Sequence, residues 1–307
     1  MDKVIVIAGP TASGKTDLAI ELALKVNGEI ISADSMQIYR EMNIGTAKPD
    51  MVERRGIPHH MIDVVSPDEE YSVARFQQDA KKALADILKR GRVPIVAGGT
   101  GLYINALVYN LTFSETITNW EYRAYLHSLA EQNGPEALHE LLMKVDPKSG
   151  EAIHPNNIKR VIRALEVFET TRKPISEHQQ ESRRELPLYD YKVYGLEVDR
   201  DVLYGRIEQR VDNMMAKGLY EEVEEILKKG YSPQLVSLQG IGYKEIIQAI
   251  EGRCTLAEAV ERIKLGTRHL AKRQMTWFRK TEGLQWMNST LLDSWAMLKI
   301  LADALNV

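Results

Sequence analysis

Five short apolar runs rich in β-branched residues punctuate the chain. They are Val4-Ile5-Val6-Ile7-Ala8, Glu29-Ile30-Ile31-Ser32-Ala33, Met61-Ile62-Asp63-Val64-Val65, Pro94-Ile95-Val96-Ala97 and Lys192-Val193-Tyr194-Gly195-Leu196-Glu197-Val198. Helical spacing fills the intervals, as in Leu18, Leu22 and Val26 after the first run. Near-continuous apolar strands separated by helices predict an α/β fold with a parallel sheet covered by helices. Ligands of such sheets collect at the carboxyl ends of the strands, so each strand-end loop is a candidate site.

From about Ser114 to Asp190 the pattern turns wholly helical, punctuated by Pro135, Pro147, Pro155, Pro174 and Pro187. A helical block between two strands reads as an inserted all-helical domain, residues 114–190, in a core made of 1–113 and 191–307. Within it Ile158, Val161, Ile162, Leu165 and Phe168 share one side of a helical wheel, with Lys159, Arg160 and Arg163 roughly opposite. A last long helix, Thr255 to Lys280, has an apolar stripe of Leu256, Ala259, Ile263, Leu270, Trp277 and Phe278. Arg262, Lys264, Arg268, His269, Lys272, Arg273, Arg279 and Lys280 fill the rest of its circumference. Each basic edge is either a solvated face or a polyanion surface.

The first strand runs into Gly9-Pro10-Thr11-Ala12-Ser13-Gly14-Lys15-Thr16, a G-x-x-x-x-G-K-[ST] loop in its required strand–loop–helix context. Glycines let backbone N–H groups turn toward a phosphate, and the helix N-terminus adds partial positive charge. Lys15 can reach terminal phosphates and the Thr16 hydroxyl can ligate Mg²⁺. A P-loop NTPase-like sheet follows. The second strand ends in Asp34-Ser35-Met36-Gln37-Ile38-Tyr39, where the acid is either functional or a cap. Gly45-Thr46-Ala47-Lys48-Pro49 reads as a loop whose Lys48 either assists an anionic ligand or is solvated. His59 and His60 are adjacent, so they point to opposite faces and make poor co-ligands. The fourth strand ends in Gly98-Gly99-Thr100-Gly101, which suggests close backbone approach to a ligand, or a tight turn capped by Thr100. It lacks the terminal acid with which hydrolytic P-loop ATPases hold Mg²⁺, which weakens an ATPase reading and is compatible with a transferase.

Composition narrows the classes. The chain has 307 residues, a formal net charge of −3 and one cysteine, Cys254. An internal disulfide or a cysteine-built zinc site is excluded. The whole-molecule charge gives no sign of nucleic acid, so any such binding comes from local patches. With no long apolar run and a strand almost at the first residue, the expectation is a cytoplasmic protein with no membrane span.

These stretches, with Ile44-Gly45-Thr46-Ala47-Lys48-Pro49, Ile241-Gly242-Tyr243-Lys244 and Ala271-Lys272-Arg273-Gln274-Met275-Thr276-Trp277-Phe278-Arg279, resemble the bacterial tRNA dimethylallyltransferases (IPP transferases) nearly end to end. The resemblance implies that dimethylallyl diphosphate, not ATP, occupies Gly9–Thr16, with Mg²⁺ at Thr16. It implies catalytic roles for Lys15, Asp34, Thr100 and Arg210, with Arg206 one turn away as the competing assignment. The adenosine 3′ to the anticodon of tRNAs reading codons that begin with U would receive the prenyl group. Ser35, Met36 and Gln37 match the segment that meets that nucleotide; Asp34 matches the family's proposed base and Thr100 a position beside the bridging oxygen, and both also count among the tRNA-binding positions. Arg123, Lys159, Arg160, Val161, Ile162, Arg163, Gln239, Gly240, Ile241, Gly242, Tyr243 and Lys244 match regions that touch tRNA. The inserted domain would grip the anticodon stem-loop, and the chain would act as a monomer. A small-molecule P-loop kinase, a prenyltransferase acting on AMP or ADP, and a non-catalytic RNA-binding protein are the rival readings.

Overall fold

Val4, Ile5, Val6, Ile7 and Ala8 are all buried, which puts the first apolar run in the middle of the sheet with both faces covered. The computed structural model describes residues 1–113, 119–182 and 185–306. In chain order the elements are β1 (Lys3–Ala8), α1 (Lys15–Val26), β2 (Gly28–Ser32), β3 (His59–His60), α2 (Val73–Lys89), β4 (Val93–Gly98) and α3 (Gly101–Val108). Four helices follow, α4 (Trp120–Val145), α5 (Pro147–Ala152), α6 (Ile158–Thr171) and α7 (Ile175–Ser182). The chain then runs through β5 (Asp190–Glu197), α8 (Arg200–Ala216), α9 (Leu219–Lys228), α10 (Tyr243–Ile250), α11 (Leu256–Phe278), β6 (Gln285–Asn288) and α12 (Ser294–Leu305).

Two compact units result: Met1–Val108 with Pro187–Val307, and Tyr109–Leu186. The helical unit begins and ends a few residues before the limits read from the sequence; residue 114 itself lies outside the described residues.

In the first unit six parallel strands lie in the order β3-β2-β4-β1-β5-β6. Ile5 and Ile7 pack with Leu18, Leu22, Ile95, Tyr194 and Leu301 in one cluster. Each such side chain contributes about 1.5–3 kcal/mol when fully buried. Ala8 pairs with Gly98, and Ser32 with Ala97. The register therefore brings the loops after β1, β2 and β4 to one edge.

One strand expectation is corrected, and one strand was not foreseen. Met61–Val65 is not a strand: Met61 and Asp63 take positive φ (64° and 57°). The Asp63, Val64 and Val65 N–H groups turn to the Gln37 and Ile38 carbonyls. The sheet instead takes His59 and His60, opposite Ile30 and Ile31. β6, unforeseen, adds a parallel edge strand beside β5.

In the second unit α4 packs on α5 and α6 around Leu126, Leu138, Leu142, Val161, Ile162 and Leu165. Gly134, at φ 83° and ψ 162° ahead of Pro135, kinks α4.

Candidate active site

The Gly9–Thr16 loop wraps the N-terminus of α1, with Gly14 left-handed at the cap position (φ 88°) and Ala12 at φ 62°. Lys15 folds back so that its Nζ donates to the Pro10 carbonyl at 3.1 Å. The Ser13 hydroxyl is buried and finds no hydrogen-bond partner among the described residues, an orphaned polar atom inside a phosphate-shaped loop. A cleft of about 1,050 Å³ opens against the loop, lined among others by Ser13, Lys15, Thr16, Arg206 and Arg210.

The electrostatics of this cleft are unusual. Burial pushes the Lys15 ammonium down to about 8; the positive Arg210 adds to the fall, and Asp34 opposes it. Burial likewise lowers Arg210, again opposed by Asp34. Lys15, Arg210 and Asp34 thus share one field. Arg206 lines the same cleft but is exposed, and Arg210 is the guanidinium whose charge acts on Lys15.

Asp34 caps a turn rather than a helix. Its Oδ1 accepts the Met36 N–H at 2.9 Å, and Oδ2 has no hydrogen bond among the described residues. Thr100 sits beside it: its Oγ1 accepts the Ser35 N–H at 3.0 Å and lies 3.3 Å from the Ser35 hydroxyl. Asp34 and Thr100 stand at neighbouring strand ends and are not among the residues lining the cleft. The glycines around Thr100 answer to the protein itself. A Cβ on Gly98 would meet the Ala33 carbonyl oxygen at 2.1 Å, one on Gly99 the Gln274 amide at 2.4 Å, and one on Gly101 the Trp277 ring at 2.2 Å.

Four residues hold this edge together in roles that the sequence did not assign to them. Gln274 accepts the Thr11 N–H at 2.9 Å and donates to the Gly99 carbonyl at 3.0 Å, tying the phosphate loop to the Thr100 loop. Glu222 accepts the N–H groups of Asn43, Ile44 and Gly45 and the Tyr243 hydroxyl at 2.6–3.1 Å. Lys48 is not solvated: it is buried, bonded to the Tyr39 carbonyl and paired with Asp63 at 2.6 Å. Gln37 donates to the Thr46 and Ala47 carbonyls at 3.4 and 3.3 Å and accepts the Ser32 hydroxyl at 2.9 Å. Its amide braces the 43–48 loop.

The surfaces assigned to RNA divide on inspection. Lys159 and Arg160 are exposed. Val161 and Ile162 are corrected to packing residues, at 0% and 3% exposure in the core of the helical unit. Arg123 and Arg163 are fixed on Glu166, at 2.8 and 2.6 Å. Burial alone would push the Glu166 carboxyl up, but the bonds from Arg123 and Arg163 hold it below its usual range. In the loop before α10, Gln239 is exposed and Gly240, Ile241 and Lys244 are half-buried, while Gly242 is buried. Tyr243 is corrected to a core residue, 0% exposed, its hydroxyl on Glu222. On α11, Lys264 pairs with Asp212 and Arg268 with Glu208, while His269, Lys272 and Arg273 are exposed, as is Lys280 just past the helix.

Residues 37–281 match the model of the IPP transferase family. The chain belongs to that family. Residues 2–67 also match an isopentenyl transferase model. A tRNA dimethylallyltransferase of Acetivibrio thermocellus is 57% identical over 294 residues, spanning 96% of this chain and 94% of that protein. One from Alkaliphilus oremlandii is 50% identical over 292 residues, with 95% and 93% covered. The full-length tRNA isopentenylpyrophosphate transferase of Bacillus halodurans superposes with a TM-score of 0.74 at 41% identity, covering 100% of this chain and 97% of that one. A eukaryotic dimethylallyltransferase acting on tRNA gives a TM-score of 0.82 at 33% identity, covering 99% and 79%. The sheet with a phosphate loop after its central strand is thus the P-loop NTPase-like fold of the IPP transferases.

Proposed function

We propose that this IPP transferase moves a dimethylallyl group from dimethylallyl diphosphate to the exocyclic amine of the adenosine 3′ to the anticodon, in tRNAs reading codons that begin with U, and releases diphosphate. The observation that carries this reading is the shared field of Lys15, Arg210 and Asp34. Two buried cations, one of which lowers the other's protonation, form a site short of an anion, and a diphosphate supplies it.

The allylic C–O bond breaks as the new C–N bond forms. Negative charge collects on the departing diphosphate, where Lys15, Arg210 and the loop N–H groups stabilise it. The buried Ser13 hydroxyl gains the partner it lacks. Thr100, fixed against Ser35, presents its hydroxyl at the edge between the phosphate loop and Asp34. The adenine amine becomes acidic as it is alkylated, and the Asp34 carboxylate takes its proton through Oδ2 while Oδ1 keeps the Met36 N–H. The target base must leave its stack to reach this point, at a cost of about a few kcal/mol.

The donor set fits Mg²⁺. Among the described residues no group of three or more His, Cys, Asp or Glu converges to cage a metal. Thr16 lines the cleft, and Mg²⁺ is ordinarily held by one or two protein oxygens with phosphate and water. Bound there, the ion would neutralise diphosphate charge. Among the described residues no helix is long and apolar enough to cross a membrane, and we assign the enzyme to the cytoplasm as a monomer.

The test is transfer of label from dimethylallyl diphosphate to unmodified tRNA with Mg²⁺, using AMP as the alternative acceptor and Asp34→Ala as the control. Labelled tRNA with wild type alone supports the reading. Equal labelling of AMP, or ATP turnover without RNA, contradicts it.

A further inference from the structure

The helical unit carries an exposed indole that the chemistry above does not use. Trp120 opens α4 and is 63% exposed, although an indole has more apolar area to hide than any other side chain. The preceding residue, Asn119, fixes the start of the helix: its Oδ1 accepts the Tyr122 N–H at 3.0 Å, and its own N–H donates to Glu166 at 3.1 Å. One turn on, the Arg123 guanidinium carbon lies 5.3 Å from the Trp120 ring centroid. That guanidinium is not free to wander. Its Nε and Nη2 each donate to a different Glu166 oxygen at 2.8 Å, and Glu166 is 0% exposed. Arg163 donates to the same carboxylate at 2.6 Å.

One buried carboxylate thus holds two guanidiniums, which bring positive charge to this end of the helical unit. Arg160, exposed and one turn before Arg163 on α6, extends that charge along the surface. Rigid aromatic area bordered by cations is how proteins take hold of unpaired nucleobases, the ring stacking on the base and the cations meeting its phosphates.

We propose that Trp120, backed by Arg123 and anchored through Glu166, is a stacking platform for an unpaired base of the tRNA anticodon loop. The inference rests on the tRNA reading given above. Charge selects the occupant: a flat apolar partner without phosphates would gain nothing from Arg123, Arg163 and Arg160. Trp295 supplies an internal control. It is 68% exposed and lies 5.6 Å from the Lys299 ammonium, a flexible cation with no carboxylate partner among the described residues, and it belongs to the other unit.

The experiment measures binding of a fluorescein-labelled, unmodified anticodon stem-loop RNA to the full chain. Trp120→Ala should weaken binding about tenfold, Trp120→Phe less than about threefold, and Trp295→Ala not at all. KM for dimethylallyl diphosphate should stay unchanged in all three. Replacing loop nucleotides one at a time by abasic residues should find a position where wild type drops to the Trp120→Ala level and Trp120→Ala loses nothing further. Unchanged affinity for Trp120→Ala, beside a wild type that binds RNA, overturns the platform and leaves the tRNA reading intact. An equal loss with Trp295→Ala overturns it too. A wild type that binds no RNA overturns both.

Discussion

Gln274, near the end of α11, accepts the backbone N–H of Thr11 in the phosphate loop at 2.9 Å. Its amide nitrogen meets the Gly99 carbonyl at 3.0 Å, so one side chain sets the spacing of the phosphate loop and the Thr100 loop.

Gln274→Ala should therefore raise KM for the prenyl donor about tenfold, the cost of leaving both backbone groups without partners. Gly99→Ala should do the same, because its Cβ would stand 2.4 Å from the Gln274 amide nitrogen. The double variant should be little worse than either single one, since both break the same bridge. Steady-state kinetics on the four proteins check this; additive losses would mean that the bridge is not the shared cause.

Lys15 gives the pH dependence. With its ammonium lowered to about 8 in the free enzyme by burial and Arg210, an arriving diphosphate restores the proton. Below pH 8 the group is already charged and donor affinity is flat; above 8 each binding event takes up a proton and affinity falls. Calorimetry at pH 8 in buffers of different ionisation heat should show net proton uptake that disappears in Lys15→Met. Uptake that persists in that variant would place the titrating group elsewhere.

Glu222 offers a test of the bracing behind the cleft. Its oxygens serve four donors, and Glu222→Gln sets an amide N–H₂ against some of them. Stability should fall by about 2–4 kcal/mol in urea unfolding. Donor KM should rise, because Asn43, Ile44 and Lys48 line the cleft. Tyr243→Phe, which removes one of the four bonds, should show a smaller loss of both kinds.

The contrast between Lys15 and Gln274 shows what was legible in the sequence. The phosphate loop announces itself because its chemistry is local: strand, glycines, lysine and hydroxyl lie within one short stretch. Gln274 does its work 263 positions from Thr11; its stretch resembles the family, but nothing there says which loops it bridges. β1, β2, β4 and β5 are apolar and buried, so their patterns survive folding; β6 begins with two exposed residues, Gln285 and Trp286, and sends no such signal. Met61–Val65 has strand-like composition, but left-handed turns at Met61 and Asp63 divert it. Lys48 looked like a surface cation because its partner, Asp63, becomes a neighbour only through that diversion. Val161, Ile162 and Tyr243 fall within stretches matched to RNA, yet their side chains serve the core.

The central claim is that Asp34 receives the proton while the phosphate loop holds the leaving group. The direct measurement is the single-turnover rate of dimethylallyl transfer to unmodified tRNA by Asp34→Asn, at saturating donor and tRNA. The amide keeps an oxygen for the Met36 N–H and cannot act as the base. The account predicts a rate about 10²–10⁴-fold lower, with donor affinity retained or tighter because a negative charge beside Lys15 and Arg210 has gone. A rate within about threefold of wild type would contradict it.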